Sequence, residues 1–190
     1  MNIVIIGLSA TSTWGNGQAT MYRNLVRELN VRGHQVLFLD HSDDSPFADR
    51  ARRKAPHGKR DSYRSLADLK RRFGRQVREA QVVIVGSAVS DAIEIGRWVT
   101  SVAKGVTVFY DINTPITLSK LEHGDADSVT RALASKYDLY LTFSGGSELQ
   151  DLERKFGSPM ARTLPDRSPA QRAARLERYV VEAMTGRPMA

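Results

Sequence analysis

Ile3-Val4-Ile5-Ile6-Gly7-Leu8-Ser9-Ala10-Thr11-Ser12-Thr13-Trp14-Gly15-Asn16-Gly17 is the stretch that decides the fold. Its opening, Ile3 to Leu8, is a nearly unbroken apolar run rich in β-branched residues, the pattern of a strand buried on both faces in a parallel sheet. Hydroxyl residues and glycines end the run, and a helical pattern follows at once. Tyr22, Leu25, Val26 and Leu29 fall at i, i+3, i+4 and i+7, and Gly33 supplies the residue that closes such a helix. The same unit recurs along the chain. Val36 to Asp40, Val82 to Gly86, Val106 to Asp111 and Leu139 to Phe143 repeat the apolar run, and Ala161 to Leu164 is a weaker sixth. Strands alternating with helices are the signature of an α/β fold. The expected architecture is a doubly wound, Rossmann-like parallel sheet of order 3-2-1-4-5 with helices on both faces.

The intervening helices carry their own start and stop signals. Ser65 stands three positions before Asp68 at a capping-box spacing, and Leu66, Leu69, Phe73 and Val77 then line one side, with Lys70, Arg71, Arg72, Arg75 and Arg78 crowding the wet side. A third helix is expected from a Ser90 cap through Ala92, Ile95, Val99 and Val102 to Gly105. A fourth region runs from Thr114 to Ser135, interrupted at Gly124, and a fifth carries Leu149, Leu152 and Phe156 before Gly157 and Pro159 stop it. In the last segment Ser168, Pro169 and Gln171 read as N-cap, N1 proline and N3 partner, ahead of an apolar stripe of Ala173, Leu176, Val180 and Ala183. The chain therefore divides into residues 1–164, a Rossmann-like domain, and residues 165–190, a carboxyl-terminal helix whose apolar stripe must pack on something.

Composition agrees with a single packed core. A chain of 190 residues with 41% hydrophobic and 26% charged residues is too apolar to be disordered and too short for two full-sized domains. The absence of cysteine excludes disulfides, thiolate catalysis and cysteine-based metal sites, and the four histidines lack metal-ligand spacing, so no metal is expected. No apolar run reaches membrane-span length and the first 22 residues have neither a basic start nor a long enough apolar core for a signal peptide, so the expected compartment is the cytoplasm. The net charge of +7 is concentrated: residues 41–80 hold 12 basic and 6 acidic side chains. Arg50, Arg52, Arg53, Lys54, Lys59 and Arg60 have only Phe47 and Tyr63 as flanking aromatics, which argues against single-stranded nucleic acid and leaves a solvated loop or an anionic surface as alternatives.

In a doubly wound sheet the ligand crevice opens at the carboxyl ends of the strands where the winding reverses. The loop holding Ser12, Trp14, Gly15, Asn16 and Gly17 precedes a helix N-terminus, whose free amides and small residues suit a diphosphate, though the same residues also serve a plain turn. It is neither a GxGxxG fingerprint nor a P-loop. Asp111 ends an otherwise apolar strand and is followed by Asn113, Thr114 and Pro115; a carboxylate there can take a proton from a hydroxyl or cap the next helix. Ser144, Gly145 and Gly146 lead into another helix and form a second candidate anion loop.

The run Ile5-Ile6-Gly7-Leu8-Ser9 with Ser12, Trp14-Gly15-Asn16-Gly17, Ala19-Thr20, Tyr22-Arg23, Leu29 and Gly33-His34-Gln35-Val36 resembles the opening of the spore-maturation-type (CgeB-like) glycosyltransferases. Val85-Gly86-Ser87, Gly96-Arg97-Trp98-Val99, Phe109-Tyr110-Asp111-Ile112-Asn113-Thr114-Pro115, Tyr137-Asp138-Leu139-Tyr140-Leu141 and Phe143-Ser144-Gly145-Gly146 are similar to the same family in the same order, over roughly residues 1–162. The resemblance implies a GT-B transferase, in which two Rossmann-like domains face each other and a sugar passes from a nucleotide sugar to an acceptor without a cofactor or an obligatory metal. It implies that this chain is the acceptor-side, amino-terminal domain, with Asp111 as general base and the Trp14 to Gly17 loop against the diphosphate or the acceptor. The donor-binding domain is missing, since Phe156-Gly157-Ser158-Pro159 runs through Arg162 almost directly into the last helix. On this reading residues 165–190 resemble the final GT-B helix that crosses back onto the amino-terminal domain, and the chain alone is inactive, its donor-domain partner supplied in trans or lost altogether; a stand-alone module binding a nucleotide, a phosphorylated sugar or a partner protein is the alternative.

Overall fold

In a computed structural model of the chain, residues 1–7, 17–41, 59–164 and 168–186 are described, the side chains of 17–19 excepted. The strands are β1 (Asn2–Gly7), β2 (Gln35–His41), β3 (Lys59–Tyr63), β4 (Val82–Gly86), β5 (Val106–Asp111), β6 (Leu139–Thr142) and β7 (Ala161–Thr163). The helices are α1 (Gly17–Val31), α2 (Leu66–Glu79), α3 (Ala92–Val102), α4 (Thr114–His123), α5 (Arg131–Ala134), α6 (Ser147–Arg154) and α7 (Pro169–Thr185). All seven strands pair in parallel, in the order β3-β2-β1-β4-β5-β6-β7.

The doubly wound order is thus the expected one, extended by two strands, but its places are filled differently. Lys59–Tyr63, which the sequence reading leaves in the basic connector, is a strand at the sheet edge and pairs with β2 from Leu37–Lys59 to His41–Tyr63. An edge strand is hydrogen-bonded on one side only and tolerates charge, so it lacks the apolar run that marks its neighbours. Val82–Gly86 therefore becomes the fourth strand and lies directly beside β1, with Ile3 against Val82, while Val106–Asp111 moves one place out.

The central strands are apolar throughout because each face meets a different helical layer. Val4, Ile6, Val83, Val85 and Phe109 pack with Leu69, Phe73 and Val77 of α2 and Ala92, Ile95 and Val99 of α3. Ile3, Ile5, Ile84, Val108 and Tyr110 pack on the other face with Tyr22, Leu25, Val26 and Leu29 of α1 and Ala173, Leu176 and Val180 of α7. Arg32 grips Glu177 with two charge-assisted bonds of 2.6 Å, and the Tyr179 hydroxyl donates to the Thr163 carbonyl at 3.2 Å, so the last helix is tied to both α1 and the far strand.

Local signals held where a side chain could reach an amide. Ser65 accepts from the Asp68 amide at 3.2 Å, and Ser168 from the Gln171 amide at 3.4 Å. Gly124 takes the left-handed conformation, φ 75°, and ends α4 where the interruption was expected. The third helix differs: its cap is Asp91, not Ser90, held at φ 58° with no capping bond from its side chain. The tight turn after Gly86 brings the chain into the helix one residue later, and aspartate is among the residues that tolerate this conformation. Among the described residues no helix is long and apolar enough to cross a membrane.

Candidate functional site

The shift in strand places redraws the crevice. It lies between β1 and β4, so the loop that faces the segment after β1 is Ser87 to Asp91, and the Asp111 loop stands one strand further along. Ser12, Trp14, Gly15 and Asn16 lie outside the described residues; Gly17 opens α1.

Two glycines floor the crevice, and packing requires both. A methyl group at Gly86 would stand 2.2 Å from the Tyr22 hydroxyl, and one at Gly7 would stand 2.6 Å from the Phe38 ring. Tyr22 of α1 and Phe38 of β2 thus reach under the strand ends only because these positions have no Cβ. The Tyr22 hydroxyl is buried there with no hydrogen-bond partner among the described residues, and burial drives its pKa far above the ordinary tyrosine value.

Ser87 joins the loops after β4 and β5. Its amide donates to the Tyr110 carbonyl at 2.9 Å and its hydroxyl accepts from the Ile112 amide at 3.2 Å. Next to it, the Asp111 side chain turns into the layer beneath α4 and has no solvent exposure. One carboxylate oxygen accepts from the Asn113 amide at 3.0 Å and the Thr117 hydroxyl at 3.1 Å, and the other from the Tyr140 hydroxyl at 2.9 Å. Burial raises its pKa, and the bonds from Asn113, Tyr140 and Thr117 pull part of the way back. A base must reach the proton it abstracts. Both oxygens are engaged and the side chain has no open face, because its Cβ lies on the sheet face that α4 covers; the N-cap of α4 is Asn113, whose amide Asp111 holds.

Asn113 and Thr114 do stand at the carboxyl edge. Asn113 is the exposed N-cap of α4 and makes no capping bond with its side chain, while Thr114 is fully buried with its hydroxyl unpartnered among the described residues. One strand over, Ser144, Gly145 and Gly146 form a tight loop into α6. The Ser144 carbonyl accepts from the hydroxyls of Thr142 and Thr163, and Gly146 sits at φ 83°, ψ −138°, a conformation open essentially to glycine alone. Ser144 donates to Glu148, so a carboxylate already occupies the first turn of α6 and competes with any anion there.

The structure thus brings Asn113, Thr114, Ser144, Gly145 and Gly146 to adjacent strand ends and withdraws Asp111 from them. Tyr140, Thr117 and Ser87, which sequence reasoning passed over as site-shaping residues, carry the hydrogen bonds that fix this edge; Ser87, a hydroxyl at the end of an apolar run, had a local signal, whereas Tyr140 within β6 and Thr117 within α4 had none. Asp40, at the end of β2, is buried against Arg60 at 3.0 Å and belongs to the edge pairing. Among the described residues no cluster of three histidine, aspartate or glutamate side chains could hold a metal ion. A cavity of about 940 Å³ lies at the opposite edge, over the first residues of β1, β2 and β3, and contains none of the expected site residues.

No protein-family model matches the chain, and no curated protein matches it in sequence. A solved structure of Arabidopsis thaliana UGT89C1 complexed with UDP-L-rhamnose is similar to it in fold, with TM-score 0.53 and 15% sequence identity. That match covers 93% of this chain and 55% of the other, so the chain spans little more than half of the structure it resembles. The structure of MT0777 matches at TM-score 0.39 and 10% identity, covering 96% of this chain and 99% of that one, a likeness too slight to carry an inference. The chain therefore has a Rossmann-like α/β fold.

Proposed function

We propose that this chain is the acceptor-side domain of a GT-B-type glycosyltransferase of the CgeB-like kind, in which a nucleotide sugar and its acceptor meet at the carboxyl ends of β1, β4, β5 and β6. The observation that carries the reading is the fold likeness along 93% of this chain to part of a structure that holds UDP-L-rhamnose. The crevice chemistry agrees with it. The helix starts at Gly17 and Thr114 offer amides toward the strand ends, and Asn113 leaves its side-chain amide free of capping duty. Ser144, Gly145 and Gly146 form the outer wall; Ser12, Trp14, Gly15 and Asn16 are assigned to the same site from the sequence alone and lie outside the described residues. Asp111 is a positioning residue in this scheme: it sets the turn from which the Asn113 side chain and the backbone amide that opens α4 at Thr114 face the ligand. A donor-binding domain supplied in trans completes the enzyme, so the isolated chain handles acceptors and touches the donor only weakly.

Amide-resolved NMR titration of the full chain with a uridine nucleotide sugar, and separately with UDP, tests this reading. The expected result is roughly millimolar binding with shifts confined to Ser12–Gly17, Ser87–Asp91, Ile112–Thr114 and Ser144–Ser147. Shifts confined elsewhere, or none, overturn the site. Micromolar binding of the nucleotide sugar by this chain alone overturns the acceptor-side assignment and favours a stand-alone nucleotide-binding module.

A further inference from the structure

The proposed function leaves the basic side chains of α2 unused. Between Lys59 and Ala80 eight basic side chains stand against three acidic ones, which is most of the net +7 of the whole chain. The structure sorts them by direction. Leu69, Phe73 and Val77 are buried against the sheet, so at 100° per residue Arg71, Arg75 and Arg78 form a ridge on the far side of the helix. All three are exposed, with side-chain accessibility of 76% at Arg71 and 84% at Arg75. Ala67 and Gly74 lie beside the ridge and screen nothing; a Cβ at Gly74 would have no neighbour within 4 Å. Lys70, Arg78 and Lys104, whose amide donates to the Arg78 carbonyl, have no ion-pair partner among the described residues.

We propose that this face of α2 docks the protein on an anionic phospholipid surface. Charge complementarity is the driving term, and guanidinium groups bind phosphate oxygens in pairs. The apolar stripe of α2 is spent in the core, so the contact is peripheral and electrostatic, with no insertion. The ridge carries no aromatic side chain on which a base could stack, which disfavours single-stranded nucleic acid. Asp68 and Glu79 lie along one flank of the ridge, where Asp68 pairs with Arg71 and Glu79 with Arg75. A duplex embracing the helix would bring a phosphate strand against those carboxylates, whereas laterally mobile headgroups can gather under the ridge and avoid them. The inference is independent of the proposed activity, since it uses none of the crevice residues.

The test is co-sedimentation of the full chain with vesicles of phosphatidylcholine alone or with about 30 mol% phosphatidylglycerol, at low salt and again with roughly 0.5 M salt. Binding is expected only to the anionic vesicles and is expected to vanish in high salt. The variant R71Q/R75Q/R78Q is expected to partition about 100-fold more weakly, at roughly fivefold per charge. R27Q/R175Q/R178Q removes the same charge from the helices on the opposite face and is expected to bind within about twofold of the parent. Far-ultraviolet circular dichroism confirms that both variants fold. Equal binding by the α2 variant and the parent, equal loss in both variants, or preference for duplex DNA over anionic vesicles at matched phosphate concentration would each overturn the proposal.

Discussion

Asp111 shows how one side chain can be read correctly in type and wrongly in direction. It ends β5 with no exposed atom and gathers three donors from Asn113, Thr117 and Tyr140. Asp111→Ala leaves the Asn113 amide and the Tyr140 hydroxyl without an acceptor, Thr117 retaining the Asn113 carbonyl, and is expected to cost about 3 kcal/mol, read from urea unfolding. A carboxylate that faced solvent as a base would leave stability unchanged. The pH dependence has a definite sign. Because burial raises the folded-state pKa, the stabilising contribution of Asp111 is complete below the ordinary value of 3.8 and is lost as pH rises through the higher folded value. Asp111→Asn removes that titration, so the stability of the parent relative to this variant is expected to fall as pH rises through the window. The carboxylates of Asp68 and Asp127, held low by Arg71 and Lys120, act in the opposite sense in both proteins and cancel in the comparison. Gly86 offers a second residue-scale test. Gly86→Ala drives a methyl into the Tyr22 hydroxyl and is expected to cost about 1 to 3 kcal/mol in thermal or chemical unfolding. Adding Tyr22→Phe removes the obstructing oxygen, and a double variant no more stable than the single one would show that the clash is elsewhere.

Elements were legible in proportion to how far local chemistry alone dictated them. The Ser65 cap of α2 was read from spacing and is present, and Ser65→Ala is expected to cost about 1 kcal/mol of stability measured by chemical denaturation. β3 was missed because its residues, Lys-Arg-Asp-Ser-Tyr, are those of a one-sided edge strand whose pairing with β2 is a long-range event. The last helix was legible as a helix from its capping residues and as amphipathic from its stripe. The face it covers was not, because nothing in residues 168–186 encodes the sheet. Leu176, 1% exposed between α1 and the sheet, is the central contact, and Leu176→Ala is expected to cost about 2 to 5 kcal/mol, measured by the shift in denaturation midpoint.

At the scale of the whole molecule, two hydrophobic clusters share one sheet, so neither layer can loosen without exposing a face of the same strands. Unfolding is therefore expected to be a single transition, with near- and far-ultraviolet circular dichroism changing together; an early loss of the α7 signal would separate the last helix from the fold. The sequence by itself determined the α/β class, the parallel and doubly wound arrangement and most helix limits, because these follow from apolar periodicity, capping groups and glycine, all local properties. Only the tertiary structure decided which strand lies beside β1, that the Asp111 carboxylate turns under α4 and that the charge of α2 gathers on one outward ridge. Each of those depends on pairing and packing between residues distant in the chain, where a one-place change in strand order moves a whole loop and the choice of sheet face decides whether a carboxylate meets ligand or core.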